Sequence, residues 1–191
     1  MSGKACGSGW LPLAILLMVS GCNSGQSDKA AAGPSAPGSS AQRAISPAQA
    51  NAVVKAELSA EFDPARDPAR DLRAAAAAAK REGKRIVLDV GGDWCAWCQR
   101  LDAFVESDPG VRAFRDAHFV WMKVNYSEQN ENIPFLSRYP RAKGYPHLFV
   151  LDADGKLLHS QFTGSLEHGK GYHRDKFIAF LKRWAPASSR S

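Results

Sequence analysis

Two cysteines separated by two residues, Cys95 and Cys98, indicate the chemistry of this 191-residue sequence most directly. They follow the apolar run Ile86–Val90, which predicts a buried strand, and they open a segment predicted to be helical. Both sulfurs are then expected near the first helical turn, close enough to bond. Because unpaired N–H groups and the helix dipole favour an anion there, Cys95 is predicted to be a thiolate nucleophile. Cys98, one turn deeper, suits the resolving thiol, which attacks a mixed disulfide.

The amino terminus predicts export from the cytoplasm. A lysine precedes the apolar stretch Trp10–Val19, which is too short to span a bilayer and is typical of a signal peptide. The stretch leads into Leu17–Cys22, which resembles the bacterial lipobox. That resemblance implies cleavage before Cys22 and attachment of lipid to its thiol, and Asn23 favours the outer membrane. An ordinary signal peptide that leaves Cys22 as a free thiol is the alternative.

The other cysteines leave a single pair for disulfide chemistry. Of the four cysteines, Cys6 would be removed with the signal peptide and Cys22 would be consumed by the lipid. Cys95 and Cys98 remain, in a periplasmic compartment where disulfides persist.

Composition favours a folded domain and gives no indication of nucleic-acid binding. The chain is 45% hydrophobic, and its formal charge is +6, with basic and acidic residues interspersed rather than clustered. Five segments are predicted: a signal peptide at 1–21, a disordered lipid-anchored tether at 22–47, a helical extension at 48–69, the globular domain at 70–186 and a disordered tail at 187–191.

The globular domain alternates strands with helices, which indicates an α/β fold with a central mixed sheet of about four strands flanked by helices. Asp71 is predicted to cap a helix that Gly83 ends, and the tandem at 63–70 is predicted to be a turn. A turn at Asp154-Gly155 joins the last two strands. The predicted strands are Ile86–Val90, Phe119–Val124, Leu148–Leu151 and Lys156–Gln161, and the predicted helices are 47–62, 71–82, 95–105, 133–139 and one from Arg174.

Several residues around the cysteine pair follow a recognisable order. Trp94 precedes the pair, Asp89 lies six residues before Cys95, Lys123-Val124-Asn125 ends a following strand, and Gly144-Tyr145-Pro146 precedes another. In these features residues 70–185 resemble the thioredoxin superfamily, most closely its thioredoxin-like lipoprotein and periplasmic members with Trp-Cys-x-Trp-Cys sites. The resemblance implies a thioredoxin-like fold and thiol–disulfide exchange.

The resemblance also implies roles for two charged residues. Asp89 would pass protons to and from the buried cysteine, and Lys123 would be its neighbour. Independently, the apolar neighbours of Asp89 place it in a central strand, where burial would raise the pKa of its carboxyl. A lysine in a strand that only extends its ammonium to solvent is the alternative for Lys123.

Four further residues are predicted to bind substrate. The resemblance implies that Pro146 forms a cis peptide bond in a loop that faces the disulfide, with Tyr145 before it. Trp94 would belong to the same face, and Trp97 would be a surface contact, although both tryptophans could simply pack on the helix. Two departures matter: Ala96-Trp97 replaces the Gly-Pro of thioredoxin, which leaves the reduction potential open, and an insert at 127–139 is either a partner groove or a neutral loop.

Competing chemistries have little support in the sequence. A structural zinc site needs four ligands, but no second cysteine pair is present and the histidines show no ligand spacing, so no metal is predicted. Gln99 stands where haem attachment needs histidine, and the constellation of a thioredoxin-fold peroxidase is missing. An inert structural disulfide remains an alternative.

The sequence therefore predicts an enzyme: a membrane-anchored periplasmic thiol–disulfide oxidoreductase that reduces or isomerises. Its redox group would be the Cys95–Cys98 pair, with no other cofactor. Expected partners are proteins with disulfides or thiols, a membrane or periplasmic thiol redox protein, and the membrane itself through Cys22. The alternative is a thioredoxin-fold binding or assembly module that senses redox state with little turnover.

Overall fold

A computed structural model describes residues 46–187. The predicted signal peptide, Cys22, nearly all of the tether and most of the tail lie outside these residues. The helices are α1 (Pro47–Ala60), α2 (Pro68–Glu82), α3 (Ala96–Ser107), α4 (Pro109–His118), α5 (Ile133–Leu136) and α6 (Arg174–Trp184). The strands are β1 (Arg85–Gly91), β2 (Phe119–Asn125), β3 (His147–Leu151), β4 (Leu157–Phe162), β5 (Glu167–His168) and β6 (Gly171–Tyr172). Between residues 46 and 187, no helix combines the length and apolar character needed to cross a bilayer.

The central sheet is mixed and has four strands in the order β2-β1-β3-β4, which confirms the predicted fold class. β1 pairs parallel with β2 and antiparallel with β3, and β3 pairs antiparallel with β4. The β3–β4 connection turns at Gly155, whose φ of +85° is one that L side chains rarely adopt. β5 and β6 form a separate two-stranded hairpin.

Alternation along β1 assigns its side chains to two hydrophobic layers. Ile86, Leu88 and Val90 face α1 and α2, whose small and aliphatic residues are buried against them. Val87 points to the opposite layer, where α3, α4 and α6 pack. Asp89 and Gly91 follow Val87 at the same period, so they lie on the face that α3 covers.

The structure corrects several local predictions. Asp67, not Asp71, caps α2, because its side chain accepts hydrogen bonds from two backbone N–H groups of the first turn. Asp71 instead pairs with Arg66 at 2.6 Å. The last three residues of the predicted turn at 63–70 therefore belong to α2, with Pro68 at its first position.

Two further helices differ from prediction. α4 was not predicted, although Asp108 caps it and Pro109 opens it, which is a typical helix start. α5 ends at Leu136 rather than Tyr139. The insert at 127–139 nevertheless anchors itself in the core, because Phe135 is only 5% exposed.

Candidate active site

Cys95 and Cys98 are joined by a disulfide bond at the start of α3, with their Cα atoms 5.2 Å apart. Cys95 is the N-cap residue, and its sulfur accepts a hydrogen bond from the Cys98 N–H at 3.1 Å. A negative charge on Cys95 Sγ would be stabilised by the same N–H and by the helix dipole. Cys98 is 1% exposed and Cys95 is 4% exposed, so Cys95 is the less buried sulfur.

The strand behind the disulfide has a glycine because Cys98 packs directly on its backbone. A β-carbon at Gly91 would collide with Cys98 Sγ and would lie 3.3 Å from Phe62 Cζ. Phe62 follows α1, is 4% exposed, and forms a small buried cluster with the two cysteines. The Lys123 ammonium lies 4.6 Å from the centre of the Phe62 ring. The sequence placed Phe62 at the end of a predicted helix, 47–62, but α1 ends at Ala60. A contact with a sulfur more than thirty positions away leaves no local signal.

Asp89 is a buried carboxyl with one polar partner. It is 1% exposed, and its Oδ2 accepts a hydrogen bond from Trp121 Nε1 at 3.1 Å. Its Oδ1 has no partner within residues 46–187. Burial, reinforced by the nearby charge of Asp102, raises the pKa of Asp89 to about 7, against the opposing effects of Trp121 and Lys123. Asp89 can therefore exchange a proton near neutral pH.

Lys123 lies beside Asp89, but its ammonium bonds elsewhere. The two residues are Cα partners in the β1–β2 register. Lys123 Nζ donates to Asp102 Oδ2 at 2.7 Å, and the charge of Lys123 lowers the pKa of Asp89 without a direct hydrogen bond. Asp102, one helical turn after Cys98 on α3, was missed in the sequence, where it reads as an ordinary charged helix position.

Aromatic side chains cover the rim of the disulfide. Trp94 is 59% exposed, donates from Nε1 to the Tyr126 carbonyl at 2.7 Å, and meets Tyr145 edge-on at 5.7 Å between ring centres. Tyr145 in turn stacks on Tyr126 at 4.8 Å. The Tyr145–Pro146 peptide bond is cis, as predicted. Trp94, Tyr145 and Pro146 are thus brought together, and Tyr126 is an addition that the sequence did not reveal.

Trp97 is half-buried and packs, like Tyr145, against the small cluster that contains Cys95 and Cys98. Its ring packs edge-on against Tyr172 at 5.8 Å, and the Arg100 guanidinium lies 4.6 Å above it. These contacts hold Trp97 on α3, and its predicted role in substrate binding stays a prediction.

Two side chains that follow β4 donate hydrogen bonds to the Pro146 loop and to the active-site helix. Thr163 Oγ1 donates to the Pro146 carbonyl at 2.6 Å, and the Tyr172 hydroxyl donates to the Trp97 carbonyl at 3.3 Å. Burial raises the pKa of the Tyr172 phenol. Both residues lie beyond β4, in a region to which the sequence analysis assigned no function.

These features define a class: an α/β domain with a disulfide-bonded Cys-x-x-Cys pair at a helix start, beside a buried carboxyl and a cis-proline loop. Thiol–disulfide exchange is the chemistry that such a pair can perform. Within residues 46–187, no group of three or more His, Cys, Asp and Glu side chains is placed to hold a metal ion.

Part of the described chain is similar to a known protein family and to a solved structure. Residues 67–153 match the family model described as thioredoxin-like, which confirms the predicted resemblance to the thioredoxin superfamily over these residues. A disulphide isomerase from Xylella fastidiosa Temecula1 has the same fold, with a TM-score of 0.56 and 24% identity over 64% of this chain and 94% of that one.

Curated relatives carry names from disulfide chemistry. A thiol:disulfide interchange protein, DsbD, of Actinobacillus pleuropneumoniae is 29% identical over 87 residues, which are 45% of this chain and 15% of that protein. The disulfide bond reductase DsbH of Chlamydia pneumoniae is 27% identical over 42% of this chain and 53% of its own length. The chain thus spans only part of these relatives, and their names agree with the prediction of a disulfide oxidoreductase.

Proposed function

We propose that this protein is a thiol–disulfide oxidoreductase acting on protein disulfides or thiols through the Cys95–Cys98 pair. The observation that carries this proposal is the disulfide at the start of α3, beside the cis Tyr145–Pro146 bond. The names of the DsbD and DsbH relatives support it.

In the reducing direction, the Cys95 thiolate attacks one sulfur of a substrate disulfide. A Cys95–substrate disulfide forms and the other substrate sulfur leaves as a thiolate. Cys98, as a thiolate, then attacks Cys95 Sγ, which re-forms the Cys95–Cys98 bond and releases the second substrate thiol. The substrate gains two electrons and the pair loses two. The pair itself is the redox group, and no other cofactor is required.

Asp89 would serve the second attack by accepting the proton of the Cys98 thiol. Its pKa of about 7 suits reversible proton transfer. It lies two residues before Gly91, on the same face of β1, and Gly91 is the residue on which Cys98 Sγ packs. Lys123 would act on Asp89 electrostatically, since its ammonium bonds to Asp102.

Substrate binding would use the rim described above. An extended substrate segment can form strand-like hydrogen bonds with the backbone at Tyr145 and Pro146, while Trp94 offers an exposed apolar surface next to Cys95. Trp97 would contribute through its packing on Tyr172, which holds the first turn of α3.

The cellular setting is also part of the proposal. Lipid on Cys22 would anchor the protein to a bacterial membrane facing the periplasm, with the outer membrane favoured by Asn23. A membrane or periplasmic thiol redox protein would supply the electrons for reduction or isomerisation, because the sequence contains no dinucleotide-binding or flavin-binding motif.

Trapping distinguishes the roles of the two cysteines. A Cys98→Ser variant incubated with a disulfide-bridged peptide should accumulate a mixed disulfide on Cys95, which mass spectrometry detects. A Cys95→Ser variant is the matched control and should trap far less. The reverse pattern would contradict the assignment, and absence of any adduct with either variant would contradict the activity.

The second candidate, a redox-sensing binding module, is favoured by the burial of both cysteine residues, which are at most 4% exposed. Catalytic reduction of insulin with repeated turnover excludes this candidate. Redox-dependent partner binding without turnover would support it.

A further inference from the structure

A groove opens next to the aromatic rim of the disulfide. It has a volume of about 560 Å³, and its floor includes Val90 of β1 and Phe149 of β3. Tyr126, Tyr139 and Tyr145 are among the residues that line it. Most of its remaining lining comes from residues 133–144, so the insert noted in the sequence, together with the loop that follows it, builds this feature.

The groove is continuous with the active site through Tyr145. This side chain lines the groove, stacks on Tyr126 at 4.8 Å, and meets Trp94 edge-on at 5.7 Å. It also packs against the small cluster that contains Cys95 and Cys98. A chain segment lying in the groove therefore ends beside the residue that precedes the disulfide.

The charged residues that line the groove are both cations. Arg141 and Lys143 line it, both are exposed, and the lining contains no carboxylate. Arg138, the third cation of this stretch, lies over the rings of Phe135 and Tyr139. The carboxylate of Glu131 acts electrostatically on Tyr145 but does not line the groove. The lining thus combines tyrosine rings with two exposed cationic side chains.

We propose that this groove binds an extended, acidic segment of the partner protein, with an apolar side chain against the tyrosines and carboxylates toward Arg141 and Lys143. The proposal rests on the proposed function and specifies which disulfide substrates the site prefers. Guanidinium and ammonium groups at a groove rim select carboxylates by charge complementarity, which affects encounter and register more than the chemical step. The preference should therefore appear in KM and weaken with salt.

The test uses three disulfide-bridged peptides that are identical except for two flanking residues, which are acidic, neutral or basic. We expect the protein to reduce the acidic peptide with a KM about fivefold to tenfold below that of the basic one, the size expected for two partly exposed ion pairs. The kcat values should be similar, and 0.5 M salt should reduce the ratio to about two.

Charge reversal distinguishes the effect of the groove cations on KM from the effect of the protein's net charge. In the Arg141→Glu/Lys143→Glu variant, the ratio between acidic and basic peptides should invert. The Lys176→Glu/Lys182→Glu variant makes the same charge change on exposed residues of α6, which packs on the opposite face of the sheet, and it should keep the wild-type ratio. Because the ratio is taken within each variant, partial loss of folded protein does not alter it.

The outcomes distinguish this inference from the proposed function. Equal KM values for the three peptides, or an α6 variant that inverts the ratio as the groove variant does, would overturn the acidic-segment proposal and leave the oxidoreductase intact. Failure to reduce any peptide, together with failure to reduce a small disulfide such as hydroxyethyl disulfide, would overturn the proposed function itself.

Discussion

Asp89 is a buried carboxyl that can hold a proton near neutral pH. Its carboxyl is fully enclosed, one oxygen is without a partner within residues 46–187, and burial raises its pKa to about 7. An unfolded Asp has a pKa of about 4, so between pH 4 and 7 the folded state binds more protons than the unfolded state. The contribution of Asp89 to the free energy of unfolding is therefore greatest below the pKa of an unfolded Asp. It declines as the pH rises toward the pKa of Asp89 in the folded protein.

Replacing this carboxyl should stabilise the protein and impair its chemistry. The Asp89→Asn variant should be more stable than wild type by roughly 2–4 kcal/mol above pH 7, and the difference should vanish near pH 4. Urea unfolding of the oxidised proteins at several pH values measures this. Substrate reduction should slow in the same variant, because the proton acceptor for Cys98 is lost. A gain in stability that does not depend on pH would contradict the role of ionisation.

Gly91 is the second residue whose identity the site requires. Gly91→Ala should destabilise the oxidised protein by about 1–3 kcal/mol, because the new methyl group displaces Cys98 Sγ and presses on Phe62. Gly171→Ala is a matched control in a strand, since nothing lies within 4 Å of the added β-carbon. Thermal unfolding of the two variants compares them. Equal stability of the two variants would show that β1 accommodates the methyl group without a loss of stability.

At the scale of elements, the Pro146 loop is held by a segment distant in sequence. Thr163 lies just after β4 and is 1% exposed, and its hydroxyl donates to the Pro146 carbonyl. Tyr172 of β6 bonds to the Trp97 carbonyl in the first turn of α3. The loop and the cysteine helix are therefore tied to each other through the chain that follows the sheet.

Removing the threonine donor should loosen this tie. Thr163→Val keeps the side-chain shape but leaves the Pro146 carbonyl without its partner, at a cost of about 1–3 kcal/mol. We expect KM for a peptide disulfide to rise while the reduction potential stays close to wild type. Thr163→Ser keeps the hydroxyl and should restore most of the lost affinity; if serine fails as valine does, packing rather than the hydrogen bond positions the loop.

The elements near the site could largely be predicted, because their signals are local. Apolar runs identified β1, β2 and β3, and the cysteine spacing located the start of α3. The cis bond at Pro146 was implied by the resemblance to the thioredoxin superfamily. The extent of α5 depends on tertiary contacts, and the cap of α2 required a choice between Asp67 and Asp71. Both predictions were wrong. Phe62, Asp102, Tyr126 and Tyr172 became visible only through contacts between distant parts of the chain.

At the scale of the whole molecule, the site is assembled from more than the thioredoxin-like segment. The match to the family model covers residues 67–153, yet Phe62 packs on the cysteines from before it, and Thr163 and Tyr172 support the site from after it. Leu58 of α1 is likewise buried in the core of the sheet. The helix before the family segment is therefore part of the structural unit that positions the disulfide.

The most direct test of the account is an equilibrium redox titration of the Cys95–Cys98 pair against glutathione and dithiothreitol, followed by the thiol content of the domain. We predict a reversible two-electron transition. The reduction potential of the pair should be nearer to that of thioredoxin, about −270 mV, than to that of DsbA, about −120 mV. A potential near the DsbA value would reverse the proposed direction of electron flow. A pair that does not cycle over the accessible range would contradict the central claim that this disulfide is the redox centre of an enzyme.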